Sequence, residues 1–316
     1  MPDPIRILEA LAISGVKAAA LLLLCGWPWR APNRVRTRIG GVLGVGAGIF
    51  AGCWWLGVSP SWPPREDQDR LLFVLLPALI VVEVVIALVA RPRWLAWLLR
   101  LVVAASAAPI LLYGSSYVSE LNGPGSREWS PLQTTLILGG LAAVLAVAWV
   151  ALGLLAKRSA GRSVPVVLAM VCAGASVTIM LSGYASGGLI GLTIAAALVG
   201  AVLASLALAG APEMNGVVDL GVVGLFALLL VGRFFGQLST ANAALLFAAP
   251  LLAWGAELPF VRRGGRIAHG AVRVILPAIF VAAALLLAQQ QFRAESSRTA
   301  AGSSEPSADD YMNFGK

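Results

Sequence analysis

The 316-residue sequence contains little charge: Asp, Glu, Lys and Arg together make up 12% of it, whereas apolar residues make up 59%. An average soluble domain is about 25% charged and about 45–50% apolar. A soluble globule with this composition would lack the polar side chains that cover a surface. The shortage of charge therefore argues against a soluble enzyme and favours a multi-pass integral membrane protein.

Residues that bind metals or perform catalysis are also scarce. His269 is the only histidine, and Cys25, Cys53 and Cys172 stand apart from one another without a C-x-x-C motif. Because structural zinc sites use about four Cys or His ligands, the sequence predicts three free thiols and no metal site. The sequence has no Walker A, G-x-S-x-G or H-E-x-x-H motif, the signatures of phosphate binding, serine hydrolysis and zinc proteolysis. We expect a protein that is not an enzyme and binds no cofactor.

Long apolar runs rich in Leu, Ala and Val fill most of the chain. A helix needs about 20 such residues to cross about 30 Å of hydrocarbon, and the runs lack the alternation of barrel strands. We predict an all-α polytopic bundle of about ten transmembrane spans. Spans 1 to 10 cover residues 6–26, 39–58, 71–90, 94–113, 132–156, 164–183, 188–210, 217–236, 241–258 and 271–292. Span 1 contains Arg6, Glu9 and Lys17, so a position in the membrane interface is its alternative.

Basic residues flank alternate ends of the spans. The loops after spans 1, 3, 5 and 9 are rich in Arg and Lys, whereas the loops after spans 2, 4 and 6 are acidic or neutral. Positively charged loops face the cytoplasm, so both termini are predicted on the outer side. This topology accounts for the net charge of +8 without nucleic-acid binding, for which no soluble basic patch exists. Arg outnumbers Lys, as in GC-rich bacterial genomes, so we expect the bacterial plasma (inner) membrane.

The loops between spans are too short for a separate domain, so residues 1–292 are predicted to form a single transmembrane domain. Residues 293–316 are rich in Ser, Ala, Glu and Asp, a composition that predicts a disordered polar tail.

Glu83 and Arg100 lie inside spans 3 and 4, which a short R-P-R turn connects. Both residues stand at the same distance from the turn, about 13 Å along each helix. Because a lone charge inside a membrane costs several kcal/mol, we expect an intramembrane ion pair. The pair would either fix the hairpin or serve as an ion relay or a solute-binding pair. Glu83→Gln and Arg100→Gln should each lower the yield of folded protein, and exchanging the two charges should recover part of it.

Gly40, Gly44, Gly48 and Gly52 recur every four residues in span 2. They form a bare stripe about 18 Å long, which allows another helix to approach closely. The stripe predicts helix packing, and its partner is either another helix of this chain or a second protomer.

A third polar group lies at the outer ends of spans 8 and 9, where Arg233, Gln237 and Asn242 accompany Ser239 and Thr240. A guanidinium with amide and hydroxyl donors can hold a carboxylate or a phosphate. In the alternative interpretation, Arg233 extends to water, Ser239 or Thr240 caps span 9, and the two amides face solvent.

Two functions agree with these patterns. The first is a small-solute permease or channel, for which we expect a midplane cavity lined by Glu83, Arg100 and hydroxyl side chains. The second is a non-catalytic membrane subunit or scaffold that packs with partners through the glycine-rich span 2. The expected partners are the lipid bilayer and either other membrane proteins or a second copy of the chain.

Overall fold

A computed structural model describes residues 3–26, 34–58, 61–89, 93–118, 128–158, 162–208, 213–262 and 265–302. Regular structure in these residues is helical and includes no strand. The principal helices are α1 (Pro4–Gly26), α2 (Arg34–Trp55), α3 (Asp67–Val89), α4 (Arg93–Leu112), α5 (Pro131–Arg158), α6 (Ser163–Leu181), α7 (Ala185–Ala207), α8 (Asn215–Phe234), α9 (Thr240–Ala248) and α10 (Gly265–Gly302). In the part of the chain that the structure describes, nine of them, all except α9, are long and apolar enough to cross a membrane. The prediction of an all-α polytopic bundle is confirmed.

The segment predicted as span 9 combines two kinds of helix. α9 ends at Ala248, and a 3-10 helix continues over Ala249–Glu257. Pro250 stands at this junction and has no amide hydrogen for the α-helical ladder. At about 1.5 Å per α-helical residue and about 2.0 Å per 3-10 residue, the combined segment is about 30 Å long. Its length is therefore sufficient for a crossing.

The positions of its two ends show that this segment runs along the whole of α6. Asn242 shares a small cavity with Ser182, which directly follows α6. Glu257 pairs with Arg273, and Arg273 also donates to Oγ of Ser163, the first residue of α6. We call the end of the bundle where α6 begins the inner end, because the predicted basic loops lie there. The side of the membrane that this end faces remains a prediction.

The glycine stripe of α2 packs against α1 and α7 of the same chain. A Cβ atom on Gly44 would lie 2.6 Å from the carbonyl oxygen of Ala18, and one on Gly48 would lie 2.5 Å from that of Ser14. Gly40 faces Cys25. The final glycine of the stripe, Gly52, faces Ala10 and Thr193. α1 therefore runs antiparallel along α2, an arrangement that favours a crossing over the interfacial alternative for span 1.

Two helices extend beyond their predicted ends. α2 begins at Arg34, so Arg38 belongs to the helix and not to the preceding loop. α10 continues to Gly302, which makes residues 293–302 helical and corrects the predicted disorder there. The sequence between 288 and 295 contains Ala, Gln, Arg and Glu, all good helix formers. The rest of the predicted tail, 303–316, lies outside the described residues.

Candidate functional site: a buried charge network beside an inner cavity

The centre of the network is Glu83 of α3, whose side chain is 0% exposed. Arg100 of α4 donates from Nε to Oε1 of Glu83 at 3.2 Å, so the structure brings together the two residues that the sequence pairs. Arg38 of α2 donates from Nη2 to Oε2 of Glu83 at 2.7 Å. One carboxylate therefore binds guanidinium groups from two helices on either side of α3.

Asp219 of α8 supplies a second buried carboxylate, with only 2% of its side chain exposed. Arg100 donates from Nη2 to Oδ2 of Asp219 at 2.5 Å. The indole Nε1 of Trp149, from α5, donates to Oδ1 at 2.5 Å, and its ring lies 5.8 Å from the Arg100 guanidinium carbon. Arg100 thus bridges two acids and stacks beside an aromatic ring.

The network has no net charge, because Arg38 and Arg100 balance Glu83 and Asp219. Pairing of this kind is required at low dielectric constant, where an uncompensated ion costs several kcal/mol. The four residues stand about 6 to 11 Å from the inner ends of α2, α3, α4 and α8, measured along each helix. The charged groups therefore occupy the inner half of the bundle and not its midplane.

A cavity of about 200 Å³ lies directly beside the network, and we call it the inner cavity. At about 30 Å³ per molecule it has room for six or seven waters. Among the described residues, its charged lining consists of Arg38, Arg100, Lys157, Glu213 and Asp219. Glu213, at the rim, lies 3.5 Å from Nη1 of Arg38 and accepts from Nδ2 of Asn215 at 3.1 Å.

The inner cavity differs from the cavity expected from the sequence. Its described lining includes Arg100 but neither Glu83 nor any serine or threonine. The two guanidinium groups enclose Glu83 and separate its carboxylate from the open space. Indole rings of Trp97 and Trp149, not hydroxyl groups, accompany the charges. The inner cavity is therefore not the midplane cavity lined by Glu83 and hydroxyl groups that the sequence leads us to expect.

Apolar side chains close the bundle on the outer side of the network, and we call them the apolar plug. They come from α2, α3, α7 and α8 and leave about 10 Å³ of space, the lower limit for one water. Its central members are Leu71, Leu72, Leu75, Ile190, Leu220 and Val223.

Within the α3 part of the plug, which extends to Leu79, residues Leu71–Leu75 form one π-helical turn. Pro77 follows shortly after, and its missing amide hydrogen removes one α-helical bond from this stretch. Turns of this kind occur at functional sites within helices. The plug therefore contains an irregular backbone segment and is not built from ideal helix alone.

A second cavity of about 260 Å³ lies beyond the plug, and we call it the outer cavity. Leu72 lines both the plug and the outer cavity, and Glu66 and Asp69 add carboxylates. Nearby, Tyr184 donates its hydroxyl to Oδ2 of Asp67 at 2.6 Å. Burial and the contact with Asp67 raise the pKa of Tyr184 above its ordinary value. Along the axis of the bundle, the plug thus lies between the level of the inner cavity and that of the outer cavity.

Of the three residues predicted as an outer polar site, Gln237 and Asn242 line one small cavity, whereas Arg233 does not line it. Arg233 is exposed and donates from Nε to the Thr240 hydroxyl at 2.8 Å. Gln237 is also exposed. Asn242 is 1% exposed, and neither polar atom of its side chain has a hydrogen-bond partner among the described residues. Ser239 caps α9, as the alternative interpretation expects, but Asn242 does not face water.

Sequence reasoning did not find Asp219, Arg38 or Trp149 as members of the network. Asp219 stands alone within an apolar run of span 8, and an isolated intramembrane acid is by itself a signal of function. Arg38 falls in the predicted basic loop, because the predicted span 2 begins at residue 39. Trp149 could not be identified from the sequence, because a tryptophan deep in a span is as consistent with simple packing as with a role in a polar site.

The chain matches no model of a known protein family, and no curated protein is similar to it in sequence. Its function is therefore inferred from the geometry of the network and the two cavities.

Proposed function

We propose that the protein is a small-solute permease, a non-catalytic carrier or channel, whose solute enters the inner cavity. The observation that carries this proposal is the position of the apolar plug between the levels of the two cavities. A protein that moves a solute needs access from both sides and a barrier between them. We further propose that it works in the plasma membrane of a bacterium, with the inner cavity facing the cytoplasm.

The charge network supports this proposal because its ion pairs can exchange partners. Arg100 contacts two carboxylates, and each of those carboxylates has a second donor, Arg38 on Glu83 and Trp149 on Asp219. A solute that takes a hydrogen bond from Arg100 would therefore leave neither acid without a donor. Rearrangement at a site of this kind couples solute binding to helix movement, provided that the solute binds the two conformations with different affinity.

The scaffold alternative is less well supported, because the glycine stripe that would contact a partner is buried within this chain. Gly40, Gly44, Gly48 and Gly52 are all buried against α1 and α7. A partner protein could not reach this stripe without separating α2 from the rest of the bundle.

Cysteine accessibility tests the permease without requiring that the solute be known. In a Cys25→Ser background, Leu75→Cys places a thiol in the plug and Asn215→Cys places one at the inner cavity. A membrane-impermeant maleimide is then applied to right-side-out and inside-out vesicles. We expect fast labelling of Asn215→Cys from the inner side only, and slow labelling of Leu75→Cys from both sides as the plug opens.

The native Cys172 provides the matched control, because its side chain is also completely buried but lies outside both cavities and the plug. Leu75→Cys that resists the reagent from both sides as strongly as Cys172 would show that the plug never opens. The permease proposal would then be rejected.

A further inference from the structure

The inner cavity presents hydrogen-bond donors that the protein itself does not use. Arg100 donates through Nε and Nη2, and no described residue accepts from its Nη1. Lys157 is exposed at the rim and has no ionic partner among the described residues. The acids are already satisfied: Asp219 accepts from Arg100 and Trp149, and Glu213 accepts from Asn215. The free polar capacity of the cavity therefore suits an anion.

Donors that remain unused on the cavity wall also favour an anion. Among the described residues, the charges of Arg38, Arg100 and Lys157 are balanced by those of Glu213, Asp219 and the enclosed Glu83, so the groups left to bind an anion are the ammonium of Lys157 and Nη1 of Arg100. Guanidinium and ammonium groups that converge on one space are typical phosphate-binding groups.

One side of the cavity opens between α4 and α5 on the face of the bundle that meets lipid. Leu154 of α5 and Trp97 of α4 line the cavity, and 43% and 39% of their side chains are exposed. Gly153 of α5 also lines the cavity, and a Cβ atom built there meets nothing within 4 Å. Val150 of α5 and the buried Ile86 of α3 add apolar side chains to the lining. The cavity thus joins a cationic end to an apolar opening at the level of the inner leaflet.

We propose that the inner cavity receives the phosphate headgroup of a membrane lipid, which enters sideways between α4 and α5. Its acyl chains would remain along Leu154 and Trp97. The volume of about 200 Å³ is below the roughly 300 Å³ of the smallest typical ligand pockets, so it suits a headgroup and not a whole lipid. Basic pockets between transmembrane helices on the cytoplasmic side bind anionic headgroups in this way. That this lipid is the transported solute rests on the proposed function. Its binding in the inner cavity does not.

Photocrosslinking tests the lipid site. The full-length protein is reconstituted in phosphatidylcholine vesicles that contain phosphatidylglycerol with a diazirine in its acyl chain. We expect crosslinks on α4 and α5 near Trp97 and Leu154. Gly153→Phe should remove them by filling the opening, and Lys157→Gln should reduce them about tenfold through the loss of one charge-assisted hydrogen bond.

Matched controls distinguish the site from general lipid contact. Gly140→Phe places the same ring on α5 at another position with nothing within 4 Å, and Arg158→Gln removes a neighbouring charge that stacks on Trp254 outside the cavity. Both controls should crosslink as the wild type does. Equal crosslinking of Gly153→Phe and Gly140→Phe would overturn the inference.

The source of the phosphate is tested by competition with inorganic phosphate and glycerol phosphate. If either water-soluble anion prevents labelling of Asn215→Cys by the maleimide while no lipid crosslinks appear, the ligand is a soluble anion and the lipid inference is wrong. Failure of the crosslinking with continued accessibility of Leu75→Cys would reject the lipid and retain the permease. Lipid crosslinks with a permanently closed plug would support the lipid site and reject transport.

Discussion

Two regions of the bundle solve the problem of packing helices in lipid by opposite means. In the glycine block, formed by α1, α2 and α7, small residues bring helix backbones into direct contact, as at Gly15 and Gly200. In the charged block, formed by α3, α4, α5 and α8, long side chains hold the helices together through ion pairs and leave a cavity of about 200 Å³. α2 belongs to the first block but also contributes Arg38 to the second.

The difference shows how each type of contact limits movement. Backbone contact between α1 and α2 has no space to adjust, because even a methyl group at Gly44 would meet a carbonyl oxygen at 2.6 Å. Ion pairs can rearrange, because a guanidinium can exchange one hydrogen-bond acceptor for another while the helices stay together. We therefore infer that the glycine block is a rigid frame and that the charged block is the part that rearranges.

The largest effect should come from removing the central acid of the charged block. Glu83→Gln leaves two arginines with one fewer buried countercharge, and breaking a buried pair in this way costs about 3–5 kcal/mol. We expect a strong loss of folded protein in detergent, measured by the monodisperse fraction in size-exclusion chromatography and by the midpoint of thermal unfolding. Arg233→Gln, at the exposed outer end, is the control. Equal midpoints for the two variants would show that the network does not stabilise the bundle.

The glycine block should respond almost as strongly to added volume. Gly44→Leu inserts a side chain between α1 and α2, and overpacking of this type costs about 1–3 kcal/mol or more. Gly140→Leu is the matched control, because nothing lies within 4 Å of a Cβ atom there. We expect a lower unfolding midpoint for Gly44→Leu alone. A midpoint equal to that of Gly140→Leu would contradict the close packing of the stripe.

The glycine block was largely readable from the sequence, whereas the charged block was not. Repetition of glycine every four residues in α2 predicts a packing face, and only the identity of the partner helices required the structure. Glu83 and Arg100 could be paired because one short turn fixes their relative depth. Asp219 is 119 residues from its partner Arg100, and no local rule relates positions so far apart. Cavities likewise depend on how several helices meet, so the expected hydroxyl lining had no sound basis.

A charge exchange separates an isolated pair from a network. For an isolated Glu83–Arg100 pair, the double variant Glu83→Arg/Arg100→Glu should recover stability. In the network, the arginine introduced at position 83 would face Arg38, and the glutamate introduced at position 100 would face Asp219. We therefore expect no recovery in the unfolding midpoint.

The neutral double variant Glu83→Gln/Arg100→Gln should be less destabilised than the sum of its single variants, by about 0.5–3 kcal/mol of coupling. It retains Arg38 and Asp219, so the remaining charges still balance. Recovery by the exchanged pair, or additive single effects in the neutral pair, would show that the four residues do not act as one network.

The smallest effect should come from the outer end, where Tyr184 donates to Asp67, the first residue of α3, at a distance from both the glycine contacts and the charge network. Tyr184→Phe keeps the ring and removes the hydroxyl that donates to Oδ2 at 2.6 Å. Because its pKa is raised by burial and by the neighbouring carboxylate, the phenol of Tyr184 is protonated at neutral pH and remains a donor. Loss of one such bond costs about 1 kcal/mol, so the unfolding midpoint should fall only slightly. Tyr113→Phe, on an exposed side chain, is the control. A loss as large as that of Glu83→Gln would place the outer end, and not the charged block, at the centre of the stability of the bundle.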